Sequence, residues 1–374
     1  MTPQPSLLED DSISDGSAQD ILSQLNARRH VTFPYKNTSA RRKPRRWPLV
    51  LRFIKGAIHS HIVLPVILHA MFTALVVSSD LFLHFRADMP PSIVPSLSIV
   101  VGLMLVFRNQ SSYSRFWDGR NNLTAILTSL RNLTRSFLCC SYKTGATITE
   151  AESADIERTV RVLMALPSTI KNSLRSEWGA AWAPITSQDI DRYSGAITPR
   201  LNPEYAQLLP LGLKGHEEEG LSLPIELTTL IESFIKRGHD RGWFHAPQAS
   251  QMTVQLNTLV DAYGKMETIR FTSYPIAIMI HQRQVLALFG AILPLAIVEE
   301  SHWWSILIVS LVMFTLYGIE AIASQLEDPF GYDKNDINMD AIVEDARIEL
   351  SVMLSEWKRS NEGPIRKQMF MEEM

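Results

Sequence analysis

Four stretches of the chain are apolar and free, or nearly free, of Asp, Glu, Lys and Arg. The first covers residues 56–79, the second 89–107 and the fourth 301–319. The third, 284–298, is shorter and extends backwards through Arg283 into further apolar residues. About 20 such residues span the hydrocarbon core of a bilayer as a helix. The pattern therefore predicts four transmembrane helices; the alternative is that they are buried helices of a large soluble protein.

Basic residues indicate which side of the membrane the ends of these helices face. A basic cluster precedes the first span, and a series of arginines follows the second. Because loops rich in Lys and Arg stay in the cytosol, four spans with both termini cytosolic satisfy this bias. The basic cluster also suits an anionic cytosolic leaflet, so we expect the plasma membrane rather than an organelle. The flanking residues are Arg41, Arg42, Lys43, Arg45, Arg46, Arg108, Arg115, Arg120, Arg131 and Arg135.

Helical periodicity outside the spans predicts a helical cytosolic domain. Apolar residues recur at helical spacing after the second span, for example at Leu123, Leu127 and Leu130. A proline-rich stretch near 179–224 breaks this pattern and is predicted to be a mobile connection. The chain is thus expected to be an all-α integral membrane protein. Its expected parts are a disordered cytosolic tail (1–45), the first two spans (46–118), the helical cytosolic domain (119–274), the last two spans (275–325), and a cytosolic segment with an acidic motif, a C-terminal helix and a tail (326–374).

Composition removes several classes of function. The formal net charge of -3 lacks the cationic excess that nucleic-acid binders use, so no nucleic-acid partner is expected. The two cysteines, Cys139 and Cys140, are adjacent and do not form a disulfide framework. No apolar stretch follows Met1, so a cleavable secretory signal is not expected. The sequence also lacks a Gly-rich phosphate loop, a nucleophile elbow and zinc-ligand spacing, which argues against an enzyme.

Two motifs follow the second and fourth spans. The first reads FRNQSSYSRFWDGR over residues 107–120, and the second reads QLEDPFGYDKND over residues 325–336. In this order and spacing the sequence resembles the bestrophin family of ion channels. The third span, with HQRQVLALFGAILPLAI at 281–297, is similar to the family's His-containing segment that ends in Leu-Pro. The resemblance covers roughly residues 45–345.

The resemblance implies a funnel-shaped homopentamer with a central pore. Helices of the second span would line a narrow hydrophobic neck, whose positions fall on Ile99, Leu103 and Phe107. Residues four apart stack along one helix face, so five copies would form three apolar rings that can close a pore by dewetting. Leu103 stands where many animal members have Phe. The alternative is that these residues face lipid or other helices.

The implied function is passive conduction of chloride or other small monovalent anions across a lipid bilayer. Some bacterial members of the family favour cations, so a cation-selective channel is the first alternative. A non-conducting membrane scaffold and a membrane enzyme are the others. No reactive constellation supports the enzyme.

Polar residues just after the neck allow two interpretations. In the first, Arg108 lies near the mouth of the pore and attracts anions. In the second, the motif forms a hydrogen-bonded junction between membrane and cytosolic helices, a role that the planar fork of arginine suits. The motif residues are Arg108, Asn109, Tyr113, Arg115 and Trp117.

The acidic motif after the fourth span raises the question of calcium. Animal bestrophins bind Ca²⁺ there, and by this resemblance the backbone carbonyl ligands fall on Gln325 and Asp328 and the carboxylates on Asp333 and Asp336. No cofactor is required for the implied function, and calcium is a separate prediction. Non-acidic residues stand at 334 and 335 inside the run of acids, which lowers its negative charge. The alternative is that the two carboxylates cap a helix from Ile337 onward.

Overall fold

The computed structural model describes most of the predicted membrane and cytosolic helices. The described residues are 59–83, 89–141, 148–175, 204, 207–210, 213, 216, 219–333 and 335–362. The predicted disordered tail, 1–45, lies outside them, and so does most of the predicted mobile connection. Within the described residues every regular element is a helix.

The described residues form eight helices. They are α1 (His59–Leu83), α2 (Ile93–Cys140), α3 (Glu150–Leu174), α4 (Leu223–Asp240), α5 (Ala246–Phe271), α6 (Ile276–Ser301), α7 (Trp304–Leu326) and α8 (Met339–Glu362). The last two residues of the predicted mobile connection, Leu223 and Pro224, already belong to α4. Pro224 suits the first turn of a helix because its missing N–H has no intrahelical partner there.

Each of the four predicted spans overlaps, for most of its length, a helix that is long and apolar enough to cross a membrane. Their apolar windows have mean hydropathies of 2.1 for α1, 1.5 for α2, 1.6 for α6 and 2.2 for α7. Most residues of these windows are not buried within the chain, and large apolar side chains such as Leu68, Leu103 and Leu311 are exposed. Such surfaces suit contact with lipid or with other protein chains.

The second span continues without a break into the helical part that was predicted to be cytosolic. Helix α2 has 48 residues, which makes it about 72 Å long. The predicted boundary between residues 118 and 119 therefore falls inside one helix. No proline occurs between 96 and 140, and a buried stripe runs along one side of the helix from Val101 and Leu105 to Leu133 and Phe137. The helix continues because both halves bury the same kind of stripe.

Two clusters of buried apolar side chains hold the helices together. In the membrane part, Val101 and Leu105 of α2 pack with Leu286 of α6 and with Val309 and Met313 of α7. In the other cluster, the second half of α2 packs against α3, α4, α5 and α8. The long helix α2 thus belongs to both clusters and connects them.

Helix ends follow local capping signals. At α3, Thr149 and Glu152 form a capping box. At α8, the Asn338 side chain accepts a hydrogen bond from the backbone N–H of Ala341 at 3.3 Å, and the helix begins at Met339. The alternative that Asp333 and Asp336 cap a helix from Ile337 onward is therefore wrong, because the helix starts later and uses Asn338.

Candidate functional site

In the membrane half of α2, one face is buried within the chain and the opposite face is exposed. Val101 and Leu105 are almost completely buried against α6 and α7. The predicted neck residues lie on the other face: the exposed fraction is 71% for Ile99, 55% for Leu103 and 65% for Phe107. These three side chains therefore form an apolar stripe on the surface of the chain. The stripe is available to lipid or to further copies of the chain.

The exposed face of α2 continues into the junction motif. Tyr113 and Trp117 are both exposed and meet edge to face, with ring centroids 6.1 Å apart. The Ser114 hydroxyl donates a hydrogen bond to the Asp118 carboxylate at 3.2 Å. Asn109 is half-buried. Of the predicted junction residues, the two aromatic ones thus lie on the same side of α2 as the apolar stripe.

Arg108 is on the buried face and carries a specific partner. It is 2% exposed, and its Nη2 donates to the Glu327 carboxylate at 2.6 Å. Its guanidinium also lies over the Tyr274 ring, 4.2 Å from the centroid. Glu327 accepts a second hydrogen bond from the backbone N–H of Tyr274 at 3.1 Å. Arg108 therefore lies on the buried face of α2, away from the stripe formed by Ile99, Leu103 and Phe107. Glu327 neutralises its charge inside the chain.

Arg115 lies two turns further along α2 and binds backbone carbonyls. Its Nη2 donates to Ile269 O at 2.5 Å and to Thr272 O at 2.9 Å, and its Nε donates to Glu327 O at 3.1 Å. One guanidinium thus joins α2 to the connection between α5 and α6 and to the end of α7. A planar group with several fixed donors suits this arrangement.

The two sequence motifs touch at Gly119. A Cβ atom at this position would lie 2.9 Å from Cζ of Phe330, which is fully buried, and 3.3 Å from Pro329. Only a residue without a side chain lets the aromatic ring reach the backbone of α2 this closely. The contact fixes the segment after α7 against the middle of α2.

The acidic segment after α7 is held by bonds within the chain. Arg270 pairs with Asp328 at 2.7 Å, and the Asp336 carboxylate accepts from the backbone N–H of Asp333 at 2.8 Å. The Gln325 side-chain oxygen accepts from Asn335 at 2.6 Å. The four predicted calcium-clasp residues, Gln325, Asp328, Asp333 and Asp336, all line one cavity of ≈ 680 Å³.

This cavity has an acidic residue with an altered pKa. Burial raises the pKa of Asp336 to about 6, and the negative charges of Asp333 and Asp328 act in the same direction. The hydrogen bond from the backbone of Asp333 and the charge of Arg175 oppose the rise in this pKa. Among the described residues, no group of three or more His, Cys, Asp or Glu side chains is arranged to hold a metal ion.

A second arginine fixes the same segment to α3 and α8. Arg175, at the end of α3, pairs with Asp340 through two hydrogen bonds of 2.9 and 3.0 Å, and its Nε donates to Phe330 O at 3.3 Å. It also lies over the Tyr332 ring at 4.2 Å. The hydrogen bonds from Arg175 lower the pKa of Asp340, while burial opposes this effect. The segment is thus held from α2, α3 and α5 together.

Sequence reasoning missed the partners that complete this junction. Glu327 lies inside the acidic motif, but the motif assigns it no role, and Tyr274, Arg175 and Arg270 lie outside both motifs. A signal for Glu327 was present, because an acid at the cytosolic end of one span and an arginine at the end of another suggest a pair. Arg283 and Glu320 form a similar pair between α6 and α7, at 3.2 Å.

Comparison with known proteins gives a consistent result. A family model described as "Bacterial/Fungal Bestrophin protein" matches residues 38–352. A voltage-dependent anion channel-forming protein of Synechocystis sp. is 30% identical over 325 residues, which is 86% of this chain and 97% of the relative. A relative with the same description from Nostoc sp. is 33% identical over 300 residues, or 79% of this chain and 88% of the relative.

Solved structures agree on the fold. A variant of a bacterial bestrophin homologue from Klebsiella pneumoniae superposes with a TM-score of 0.63 and 23% sequence identity, covering 78% of this chain and 98% of that one. The four-helix membrane part and the long second helix are therefore features of a known architecture.

Proposed function

This chain belongs to the bacterial and fungal bestrophin family, and from that premise we propose that it is an anion channel. It conducts chloride and other small monovalent anions passively through a hydrophobic neck. The family membership and the description of its relatives as anion channel-forming proteins support the conduction of anions. Four helices that are apolar enough to cross a membrane provide the setting.

The observation that carries the proposal is the exposed apolar stripe of Ile99, Leu103 and Phe107. A stripe on the opposite side of α2 is buried, so the helix has one face for its own chain and one face for something else. Five copies around one axis would turn the stripe into three apolar rings. These apolar rings carry no charge that could hold an ion, and a narrow apolar ring expels water. Ions can therefore pass only when the ring becomes hydrated or widens slightly.

The proposed assembly is a homopentamer with both termini in the cytosol, in the plasma membrane. The junction around Arg115 supports a rigid connection between the neck and the cytosolic helices, because it ties α2 to the ends of α5 and α7. A conduit that continues along the cytosolic half of α2 then follows from the unbroken helix.

Calcium binding is a separate proposal on which no step of conduction depends. It rests on the four residues that line the acidic cavity. Isothermal titration of the purified protein with CaCl₂ tests it: heat that saturates and that Asp333→Asn reduces would support the site. Saturating heat that Asp333→Asn leaves unchanged, or no saturating heat at all, would exclude it.

Reconstituted protein tests the channel directly. Purified protein in liposomes should release trapped chloride, and planar bilayers with a chloride gradient should give reversal potentials that follow the anion. Leu103→Ala and Phe107→Ala should raise the flux severalfold, because a wider ring is easier to wet.

The control is Leu311→Ala on α7, an equally apolar position that is 65% exposed but lies on another helix. It should leave the flux unchanged. Reversal potentials that follow the cation would overturn the anion assignment. Equal flux in wild type, Leu103→Ala and Phe107→Ala would overturn the neck assignment.

A further inference from the structure

A cleft of ≈ 600 Å³ lies between α3 and α4, on helices that are not among the candidate membrane spans. Its charged lining consists of Asp155, Arg158, Arg237 and Arg241. The rest is mostly apolar, with Val162 and Leu230 among the lining residues. A cavity of this size, with an apolar wall and a few polar groups, is typical of sites for small organic molecules.

The single carboxylate of the cleft is already saturated. Asp155 Oδ1 accepts from Arg237 Nη2 at 2.9 Å, and Oδ2 accepts from Arg241 Nη1 at 2.9 Å and from Arg237 Nε at 3.3 Å. Both arginines also lie at the C-terminal end of α4, where positive charge is favourable. Asp155 and the helix end therefore account for the positions of these two residues.

Asp155 and the end of α4 do not account for the position of Arg158. This residue is exposed, lies three positions after Asp155 on α3, and makes no ion pair with any residue that the structure describes. Among the residues that line the cleft, three guanidinium groups thus face one carboxylate. Arginines repel each other when they cluster, so an excess of positive charge at one cleft suggests a ligand that supplies the missing negative charge.

The chemistry of that ligand follows from the donors and the wall. Guanidinium groups present N–H donors in a planar fork that matches phosphate oxygens, and a phosphate monoester carries close to two negative charges at neutral pH. The volume exceeds that of a bare ion, and Val162 and Leu230 offer a surface for an apolar part. We propose that this cleft binds a small organic phosphate, with the phosphate at Arg158, Arg237 and Arg241 and the organic part on the apolar wall.

This site is distinct from the pathway of the conducted anion. It involves neither the stripe on α2 nor the junction after α7, so binding is measured without any assay of conduction. A failure of the binding test therefore says nothing about the channel, and a failure of the flux test says nothing about the cleft.

The test is isothermal titration of the purified full-length protein in detergent with three probes. Phenyl phosphate combines the phosphate with an apolar ring, inorganic phosphate lacks the ring, and phenylacetate replaces the phosphate by a single carboxylate. We expect phenyl phosphate to bind more tightly than either of the other two. No saturable binding of phenyl phosphate, or equal affinity for phenylacetate, would overturn the proposal.

A pair of variants then locates the binding. Arg158→Gln should weaken phenyl phosphate binding roughly tenfold, because it removes a charge-assisted hydrogen bond. Lys236→Gln removes a positive charge from an exposed position of α4 that does not line the cleft, and it should bind like the wild type. Unchanged affinity in Arg158→Gln, or an equal loss in both variants, would show that the probe does not use this cleft.

Discussion

At the scale of single residues, the ion pair between Arg108 and Glu327 is largely buried. Arg108 is 2% exposed, and the Glu327 side chain is 17% exposed. A buried guanidinium that has lost its carboxylate carries an uncompensated charge in a medium of low polarity. The exposed pair of Arg131 on α2 and Glu349 on α8, at 2.7 Å, offers a direct comparison.

Glu327→Gln should therefore lower the free energy of unfolding by about 3 kcal/mol, because it leaves Arg108 buried without a counter-charge. Glu349→Gln, the matched control, should lower it by less than about 1 kcal/mol, because its pair is open to solvent. Thermal unfolding of the detergent-solubilised proteins measures both changes. Equal losses in the two variants would mean that Arg108 does not depend on Glu327.

A second prediction concerns Gly119. Alanine at this position would place a Cβ 2.9 Å from the buried ring of Phe330, so Gly119→Ala should destabilise the protein by about 1–3 kcal/mol. Gly264→Ala is the control, since no atom lies within 4 Å of the Cβ built there. It should stabilise helix α5 by up to about 1 kcal/mol, because alanine is the better helix former. Thermal unfolding measures both changes: the melting temperature should fall in Gly119→Ala and rise in Gly264→Ala.

At the scale of helices, Arg115 is the point where three elements meet. It fixes the connection between α5 and α6 through Ile269 and Thr272, and the end of α7 through Glu327. Arg115→Lys keeps the charge but loses the fork, so it cannot reach all three carbonyls at once. Backbone amides near residues 269–275 and 326–333 should then exchange with deuterium faster, as hydrogen-exchange mass spectrometry measures.

The control for this prediction is Arg120→Lys on the same helix. Arg120 donates to Thr124, one turn along α2, and joins no other element within the part of the chain that the structure describes. Exchange in both segments should stay at the wild-type rate in this variant. Faster exchange throughout α4 in Arg115→Lys would point to general destabilisation instead of a local release.

The same helices show what the sequence could and could not predict. The four spans are visible because long apolar runs stand between charges, and the cytosolic helices are visible because their apolar residues recur with helical period. The continuity of α2 was not visible, since Arg108 ends the apolar run at the point where the helix continues. Arg108 tolerates burial only because of Glu327, 219 positions away in the chain, and spacing along a sequence gives no information about such a partner.

At the scale of the whole molecule, exposed apolar side chains occur also outside the candidate membrane spans. Val254 on α5 is 48% exposed and Val352 on α8 is 53% exposed, although neither helix is a candidate span. Exposed apolar residues are typical of surfaces between protein chains when they belong to a larger patch. Together with the stripe on α2, they favour an assembly of several copies.

The proposed homopentamer predicts a particle of about five times the 42.3 kDa chain mass, which native mass spectrometry in detergent measures. Val254→Glu should reduce the pentameric fraction, because a carboxylate would lose its hydration in the interface. Thr258→Glu, one turn further on the same exposed face of α5, tests how far that interface extends and should have a smaller effect. Because both positions are exposed in the single chain, neither change disturbs its core. A particle mass that is not five times the chain mass would contradict the proposed rings of Ile99, Leu103 and Phe107. The closure of these rings depends on the number of copies around the axis.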